Sequence, residues 1–249
     1  MRRALAWAAV VASLAIVAAG VTVGQQRARE REASPLSSAL STGPRGLAAA
    51  RMFLAATGRS AARLEASDER PPPGAVLLLA APGAALDDAE ARALVAHARA
   101  GGTIVWMAGD VRQPALERRL GVRVRAAPGS RLAAPIAPHP LVVGLLLPAG
   151  GGSVEGDEPG ALPILGASGL VVGLSVAAGS GEVLVLSGPE PLTNERLGDA
   201  GAISFLVRLA GRGPVVFDER WLVARDAPAP ASHRALAIAA LQGLAALAV

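Results

Sequence analysis

The clearest alternation of apolar and polar segments lies near the middle of the chain. Residues 75–80 form a short apolar run closed by turn residues, which is typical of a buried strand. Asp87 and Glu90 then have the spacing of a capping box, and an apolar helical face follows until the glycine pair 101–102. Residues 103–107 are a second apolar run. This order predicts a strand, a capped helix and a strand, with the two strands as parallel neighbours.

Weaker patterns on both sides of this unit complete the predicted body. Further elements are indicated at residues 42–58 (helix), 63–66 (strand), 114–120 (helix), 122–125 (strand), 203–210 (helix) and 215–217 (strand). Residues 170–177 and 182–187 are strand-like and joined by a Gly-rich turn, which predicts a hairpin. We expect residues 128–140 to be irregular and residues 148–160 to be a Gly-rich acidic loop. The predicted fold class is α/β, a mostly parallel sheet flanked by helices with an inserted antiparallel hairpin.

The N-terminal segment is apolar or small from residue 4 to residue 23. As a helix this segment would span about 30 Å, the thickness of the hydrocarbon core of a bilayer. The pattern predicts an N-terminal transmembrane helix within residues 1–24, followed by a polar stalk at 25–41. A cleaved signal peptide, with small residues at 17–19 as the cleavage site, is the alternative. Both interpretations deliver the chain to a membrane.

A second apolar segment lies within residues 234–249. It begins directly after Arg234 and is interrupted by Gln242. It is short for a span, and a core or surface helix is the alternative to a second, complete or incomplete, transmembrane helix. The Ala/Pro-rich residues 226–233 before it suit a linker. We therefore expect the α/β domain to occupy residues 42–225, between two membrane segments.

The charges on the two flanks of the N-terminal segment favour opposite orientations in the membrane almost equally. Arg2 and Arg3 favour a cytoplasmic N-terminus, whereas Arg27, Arg29 and Arg31 lie on the other flank. Because short N-terminal anchors usually export the domain attached to them, we expect the α/β domain to be extracytoplasmic at the cell membrane.

Composition excludes several classes of chemistry. The chain has no cysteine, so a thiol nucleophile, a disulfide and a cysteine metal site are impossible. His97, His139 and His233 lack the spacing of metal ligands, and we expect surface or capping roles for them. Residues 166–169 miss the second glycine of a serine-hydrolase elbow, which favours a plain turn. We expect no catalytic residues, no metal and no cofactor.

The balance of charge does not favour a nucleic-acid partner. All 24 basic residues are arginines, and 20 acids reduce the formal net charge to +4. Aromatic residues are not interleaved with the arginines as they are on nucleic-acid surfaces. The bilayer itself and a protein partner remain the expected contacts.

Four acids directly follow predicted strands. Asp110, Glu190, Asp218 and Glu219 should lie at the carboxyl edge of the sheet, where ligands of α/β folds usually bind. They could form a site for a cation or a basic partner, or they could cap helices and face water. Asn194, the only asparagine, has the expected role of a turn or helix cap, with a ligand contact as the alternative.

The order of these segments resembles a family of bacterial membrane proteins described as domain of unknown function 4350. The resemblance runs from about residue 41 to residue 220 and is most specific at residues 101–103, 181–194 and 215–219. The chain is also similar to gliding-motility-type auxiliary transport proteins and to class I glutamine-amidotransferase-like domains without catalytic machinery. Residues 199–201 depart from the family pattern, which puts a polar role there in doubt.

The resemblance implies a flavodoxin-like or amidotransferase-like domain outside the membrane, with an N-terminal anchor and a second helix. It also implies neighbours such as MoxR-type ATPases or transporter components. We therefore expect a non-catalytic membrane-anchored domain, not an enzyme, that binds a protein partner or scaffolds a membrane complex. The alternative is a ligand-sensing or hydrolytic domain that uses the acidic strand-end edge.

Overall fold

The computed structural model describes residues 37–65, 70–157, 160–199 and 201–222. The helices are α1 (Ala48–Ala56), α2 (Asp88–Arg99), α3 (Pro114–Leu120) and α4 (Ala202–Ala210), with a 3₁₀ turn at Glu190–Leu192. The strands are β1 (Ala61–Leu64), β2 (Val76–Ala80), β3 (Thr103–Met107), β4 (Val122–Arg125), β5 (Ser130–Pro135), β6 (Leu147–Gly150), β7 (Ser153–Gly156), β8 (Ala161–Ala167), β9 (Leu170–Ala178), β10 (Gly181–Leu186) and β11 (Val215–Asp218).

The main sheet is mixed, with the order β1-β11-β2-β3-β10-β9-β8-β5-β6. The strands from β1 to β10 in this order are parallel neighbours, and the strands from β10 to β6 are antiparallel. The prediction of a mostly parallel sheet was therefore wrong. β4 and β7 pair separately as a small antiparallel sheet.

The antiparallel half was missed because its strands carry weak local signals. Residues 128–140 contain β5, and residues 148–160 contain the end of β6 and all of β7. Pro135, Pro148 and Pro163 all lie within paired strands, and the pairing of β8 with β9 is irregular after Pro163. Proline and glycine are poor strand formers, so these segments depend on their partners and not on local propensity.

The predicted β2-α2-β3 unit is confirmed. Asp87 accepts from the backbone of Glu90, the Glu90 side chain accepts from the backbone of Asp87, and the two strands are parallel in register. The predicted hairpin is also present as β9 and β10. The helix expected at 42–58 is shorter, because turns occupy the residues before Ala48.

Hydrophobic side chains are buried on both faces of the sheet. One core joins α1 and α4 to the sheet through residues such as Leu54, Phe205 and Phe217. The other joins α2 and α3 to the opposite face through Leu94 and Trp106. The end of β6 contacts the segment after β10, where Ser187 Oγ donates to the carbonyl of Gly150 (3.2 Å).

No helix among the described residues is long and apolar enough to cross a membrane. The predicted membrane segments 1–24 and 234–249 and the linker 226–233 lie outside the described residues, so they remain predictions. Of the predicted stalk, residues 37–41 are described. Ser38 and Ala39 are 3% and 0% exposed, so this end of the stalk segment belongs to the packed domain.

Candidate functional site

The carboxyl ends of five parallel strands share one edge of the sheet, as the sequence predicted for the acids. Asp110 follows β3, Glu190 follows β10, and Asp218 and Glu219 lie at the end of β11. The sheet order separates these strands, since β2 lies between β11 and β3. Within the described ranges, no group of three or more acidic or histidine side chains could hold a metal ion. The acids therefore do not form one cluster.

Asp218 forms a buried ion pair with Arg220. The aspartate is 2% exposed, and its two oxygens accept from Arg220 Nε (2.7 Å) and Nη2 (2.6 Å). The guanidinium also lies 5.2 Å from the ring centroid of Trp221. A two-bond pairing of this kind satisfies the carboxylate and fixes its orientation.

Glu219 joins three segments of the chain. Its Oε1 accepts from Ser38 Oγ (2.8 Å) and from the backbone of Ala39, and its Oε2 accepts from Arg63 Nε of β1 (2.7 Å). Its backbone N–H donates to the carbonyl of Leu64 (2.9 Å). We call Glu219, Ser38, Ala39 and Arg63 the Glu219 junction. It ties the first described residues to the last strand.

Asn194 caps helix α1 from a distant part of the sequence. Its Oδ1 accepts from the backbone of Ala49 (2.8 Å), in the first turn of α1. Its Nδ2 donates to the carbonyls of Ser41 (2.9 Å) and Gly43 (2.6 Å), and its backbone N–H donates to Gly46 (2.8 Å). All polar groups of the side chain are used, so the structure places Asn194 in a capping role.

Glu190 folds back over two glycines. A Cβ at Gly188 would lie 2.0 Å from Glu190 Oε2, and a Cβ at Gly150 would lie 3.1 Å from it. This oxygen is buried and has no hydrogen-bond partner among the described residues. Burial raises the pKa of the Glu190 carboxyl, and the charge of Glu195 raises it further, while Arg45 and Arg196 act against them.

Asp110 is exposed and lies in the loop between β3 and α3. The rest of this loop closes a small cavity of about 20 Å³ behind the end of β3. Gln113 holds the loop, because its Oε1 accepts from the backbone of Leu86 (2.8 Å) and its Nε2 donates to Ala84 (3.0 Å). The cavity is therefore bounded by fixed backbone.

Two residues that line this cavity each carry a buried polar atom without a hydrogen-bond partner among the described residues. These atoms are Trp106 Nε1 and Glu117 Oε1, in residues that are 1% and 6% exposed. The other oxygen of Glu117 accepts from Arg112 Nη2, and this hydrogen bond raises the pKa of Arg112. Sequence reasoning missed Glu117; its signal was an acid on the otherwise apolar buried face of α3.

A second cavity lies beside Glu117. Arg112 and Glu117 also line this outer cavity of about 290 Å³, together with Arg118, Arg123 and Asp157. The two cavities share only the Arg112–Glu117 ion pair among their lining residues. Arg118 contacts Asp88 (3.2 Å) and Arg123 contacts Asp157 (3.5 Å), in pairs whose side chains are half or more exposed. Exposed ion pairs contribute little energy, so an anion can compete for these arginines.

His139 belongs to a buried network at the opposite end of β10, whereas the sequence predicted a surface or capping role. His139 is 7% exposed, and its Nε2 lies 3.0 Å from Glu182 Oε2. Ser175 Oγ donates to the same oxygen (3.2 Å), and Arg212 lies 3.5 Å from the other. The hydrogen bond from His139 is the main cause that lowers the pKa of the Glu182 carboxyl. This network holds the loop before β6.

The other motifs singled out in the sequence have structural roles. His97 Nε2 contacts the carbonyl of Ala75 (2.9 Å) and holds α2 against the sheet. Ser168 and Gly169 have positive φ values of 50° and 77° and form the turn between β8 and β9. This geometry matches a two-residue hairpin turn, as the missing glycine of the elbow motif predicted.

A larger cavity of about 700 Å³ lies between α2 and the segment after β11. Two of its charged side chains are already engaged, since Arg220 is paired with Asp218 and Glu90 belongs to the capping box. Trp221 Nε1 lines it without a hydrogen-bond partner among the described residues. One isolated donor does not define a class of ligand.

Comparisons with known proteins identify a family and distant structural likenesses. The N-terminal domain of mmIFT52 is 15% identical with a TM-score of 0.45, over 61% of this chain and 78% of that domain. A β-galactosidase from Rahnella sp. R3 is 14% identical with a TM-score of 0.39, over 55% of this chain and 22% of the enzyme. A β-galactosidase from Bacillus circulans sp. alkalophilus is 14% identical with a TM-score of 0.38, over 56% of this chain and 23% of the enzyme.

The comparison with curated proteins gives no significant match. The family described as "Domain of unknown function (DUF4350)" matches residues 39–210. This range covers most of the chain and runs from Ala39 to the end of α4, before β11. The chain therefore belongs to the DUF4350 family.

Proposed function

We propose that this protein is a non-catalytic α/β domain, anchored in the cell membrane, that binds a protein partner or scaffolds a membrane complex. The observation that carries the proposal is that Ser37 and Leu222, the outermost described residues, line the same small cavity beside Glu219. Both ends of the described body therefore lie together at the carboxyl edge of the parallel strands. Membrane segments attached at both ends would leave the domain from one side.

The Glu219 junction supports this arrangement mechanically. Its hydrogen bonds join the segment at Ser38 and Ala39 to β11 and, through Arg63, to β1. Both ends of the described body are thus joined to the sheet by hydrogen bonds of Glu219. This is the arrangement expected of a domain held between two membrane helices with its carboxyl edge towards the bilayer.

A non-catalytic role is supported by what the polar residues of this edge do. Asp218 and Glu219 have all four oxygens hydrogen-bonded to neighbouring groups, and Asn194 caps α1. The chain has no cysteine for amidotransferase chemistry. The alternative of a sensing or hydrolytic domain that uses the acidic edge has less support, because Asp218 and Glu219, two of its four acids, are already engaged in hydrogen bonds.

The partner is expected at the antiparallel end of the sheet. Leu132 and Ile136 on and after β5 are 57% and 53% exposed, and β5 is separated from β11 in the sheet by β2, β3, β10, β9 and β8. Exposed apolar side chains of this kind suit a protein contact. By the resemblance of the sequence, a MoxR-type ATPase or a transporter component is the class of partner that we propose.

The orientation can be tested with single cysteines, because the chain has none of its own. Arg92→Cys, on the exposed face of α2, should react in intact cells with a maleimide that cannot cross membranes. The control Arg3→Cys should react only after lysis. Labelling of Arg92→Cys only after lysis would place the domain in the cytoplasm and overturn the orientation.

Partner binding can be tested by photocrosslinking in native membranes. A crosslinking residue at Leu132 or Ile136 should give one discrete adduct, and the same residue at Met52 of α1, which is 62% exposed, should not. With the crosslinking residue at one of these two positions, a serine at the other should weaken the adduct. Equal adducts from all three positions, or none from β5, would contradict the proposed surface.

A further inference from the structure

The Glu190 side chain packs against glycines from two segments that are distant in the sequence. Gly150 ends β6, and Gly188 follows β10. A Cβ at Gly188 would overlap Glu190 Oε2, so position 188 accommodates this carboxyl only as glycine. A Cβ at Gly150 would lie 3.1 Å from the same oxygen. We call the packing of Glu190 on these two glycines the Glu190 contact.

The surroundings of this carboxyl suit its neutral form better than its charged form. Glu190 Oε2 is buried and has no hydrogen-bond partner among the described residues. The carbonyl oxygen of Ser187 lies 2.7 Å from the Cβ position of Gly150, so the polar group that faces the same space is also an acceptor. An ionised carboxylate can only accept, whereas a protonated carboxyl carries a donor. Burial accordingly raises the pKa of Glu190.

The charged groups around Glu190 offer its ionised form a different position. Beyond the effect of burial, Arg45 and Arg196 lower the pKa of the carboxyl and Glu195 raises it. Arg196 already contacts an acid, whereas Arg45 lies exposed before α1. Of the elements packed against the turn of Glu190, β6 has no titratable side chain and α4 has only Arg208. An ionised Glu190 that turns outward therefore meets the charge of Arg45.

The Glu190 contact acts on β6 and, through β6, on β5. Ser187 Oγ donates to the carbonyl of Gly150 (3.2 Å), so the segment after β10 holds the end of β6 by this hydrogen bond and by Glu190. β6 pairs with β5 in an antiparallel register that places Pro148 opposite Leu132. Leu132 is one of the two residues at which we expect the protein partner. One strand therefore joins the Glu190 contact to the proposed partner surface.

We propose that Glu190 is a pH-dependent switch for the antiparallel end of the sheet. The neutral carboxyl stays on Gly150 and Gly188 and holds the end of β6 against the segment after β10. The ionised carboxylate turns outward to Arg45 and releases the end of β6. Acidification thus closes the Glu190 contact, and a rise in pH opens it. The opening depends on Glu190 alone; only its effect on the partner rests on the proposed function.

Cysteine labelling measures the opening, because the chain has no cysteine of its own. Ala149→Cys places a thiol in β6 beside Gly150, at a position that is 5% exposed. In the full chain in detergent micelles, its labelling rate is compared with that of the same cysteine in Glu190→Gln from about pH 4 to about pH 8, so that the titration of the thiol cancels. The two rates should be equal at the acidic end. At the basic end the chain with Glu190 should react about tenfold faster or more, because the glutamine stays neutral.

Two control variants separate Glu190 from general effects of pH. Ala98→Cys, which is 0% exposed in the opposite core, should give equal rates with and without Glu190→Gln at every pH. Glu195→Gln, at the exposed neighbouring acid, should leave the pH dependence of Ala149→Cys in place. Equal rates for Ala149→Cys at every pH, or the same rise for Ala98→Cys, would overturn the proposal.

Magnetic resonance of the chain with ¹⁵N-labelled glycine gives a reading without an added cysteine. The amide signals of Gly150 and Gly188 should titrate together when Glu190 is present and should not titrate in Glu190→Gln. Signals that titrate equally in both chains would assign the change to another group and would overturn the switch.

The effect on the partner is tested by photocrosslinking at Leu132 across the same range of pH. The adduct should weaken as pH rises in the chain with Glu190 and stay constant in Glu190→Gln. An adduct that is constant in both chains while β6 opens would overturn the link to the partner surface. The absence of an adduct at every pH would count against the proposed function and not against the switch.

Discussion

The ends of β11 and β3 lie at the same edge of one sheet, but the buried polar atoms near the two ends differ in whether they have hydrogen-bond partners. At β11, both oxygens of Asp218 and both oxygens of Glu219 accept hydrogen bonds. At β3, Trp106 Nε1 and Glu117 Oε1 are buried without partners among the described residues. Position at a strand end is therefore not enough to identify a binding site; unsatisfied buried atoms distinguish the two ends.

The same difference should appear in the energetics. Removing one member of a satisfied buried pair leaves the other without compensation and is strongly destabilising. Changing a group that is already unsatisfied removes a cost instead. Substitutions of the buried acids at the ends of β11 and β3 should therefore change the free energy of unfolding by different amounts or in opposite directions.

The largest effect is expected for Asp218→Asn. The change leaves the Arg220 guanidinium, whose side chain is 11% exposed, without its carboxylate, and should lower the free energy of unfolding by about 3 kcal/mol. Urea denaturation followed by circular dichroism measures it. A loss below about 1 kcal/mol would show that the pair is not important for stability.

The next effect is expected for Asn194→Asp, which keeps the shape but removes two donors. The carboxylate can still accept from Ala49, but it faces the carbonyls of Ser41 and Gly43 as an acceptor. We expect a loss of about 2 kcal/mol. The same denaturation experiment checks it, with Asn194→Ala as the control that removes the group without repulsion. Wild-type stability for the Asp variant would show that the two Nδ2 donor contacts to Ser41 and Gly43 do not stabilise the fold.

Glu190→Gln should raise the melting temperature at neutral pH. Because burial raises the pKa of Glu190, its contribution to stability is complete below the ordinary glutamate pKa and is lost as pH rises through the raised value. The variant should therefore be more stable than the wild type at pH 7 and lose this advantage towards pH 4. Melting curves across that range test it; a constant difference would rule out the titration of Glu190 as its cause.

The smallest effect is expected for Asp110→Asn. This side chain is exposed, and the surface position should tolerate the change within about 0.5 kcal/mol. A substantial loss or gain, measured beside Asp218→Asn, would mean that Asp110 interacts with groups that the structure does not place near it.

The parallel half of the fold could be predicted because its signals are local. The Asp87–Glu90 capping box and the glycine pair after α2 mark a helix between two apolar strands, and the handedness rules then fix their pairing. The hairpin of β9 and β10 has a similar local turn signal. In contrast, β5, β6 and β8 contain prolines and become strands only through their partners.

The candidate site was predictable only in part for the same reason. The sequence placed the acids at one edge and suggested a capping role for Asn194. It could not show that Asn194 would cap a helix 145 residues away, nor that Arg63 and Ser38 would engage Glu219. Glu117 was missed because its place on the apolar face of a short helix is a weak local signal, and its burial depends on Trp106 and Val124 from distant strands.

The most direct test of the contrast between the ends of β11 and β3 is to make the same substitution at each of them. Glu219→Gln and Glu117→Gln change the same group to the same amide, and urea denaturation of both variants under identical conditions compares them. We expect Glu219→Gln to lose about 2 kcal/mol, because its charged hydrogen bonds to Arg63 and Ser38 are weakened. We expect Glu117→Gln to lose nothing or to gain stability, because its ion pair is with Arg112, whose side chain is 67% exposed, and exposed pairs contribute little. Equal losses at both positions would contradict the distinction between a satisfied junction and an unsatisfied cavity.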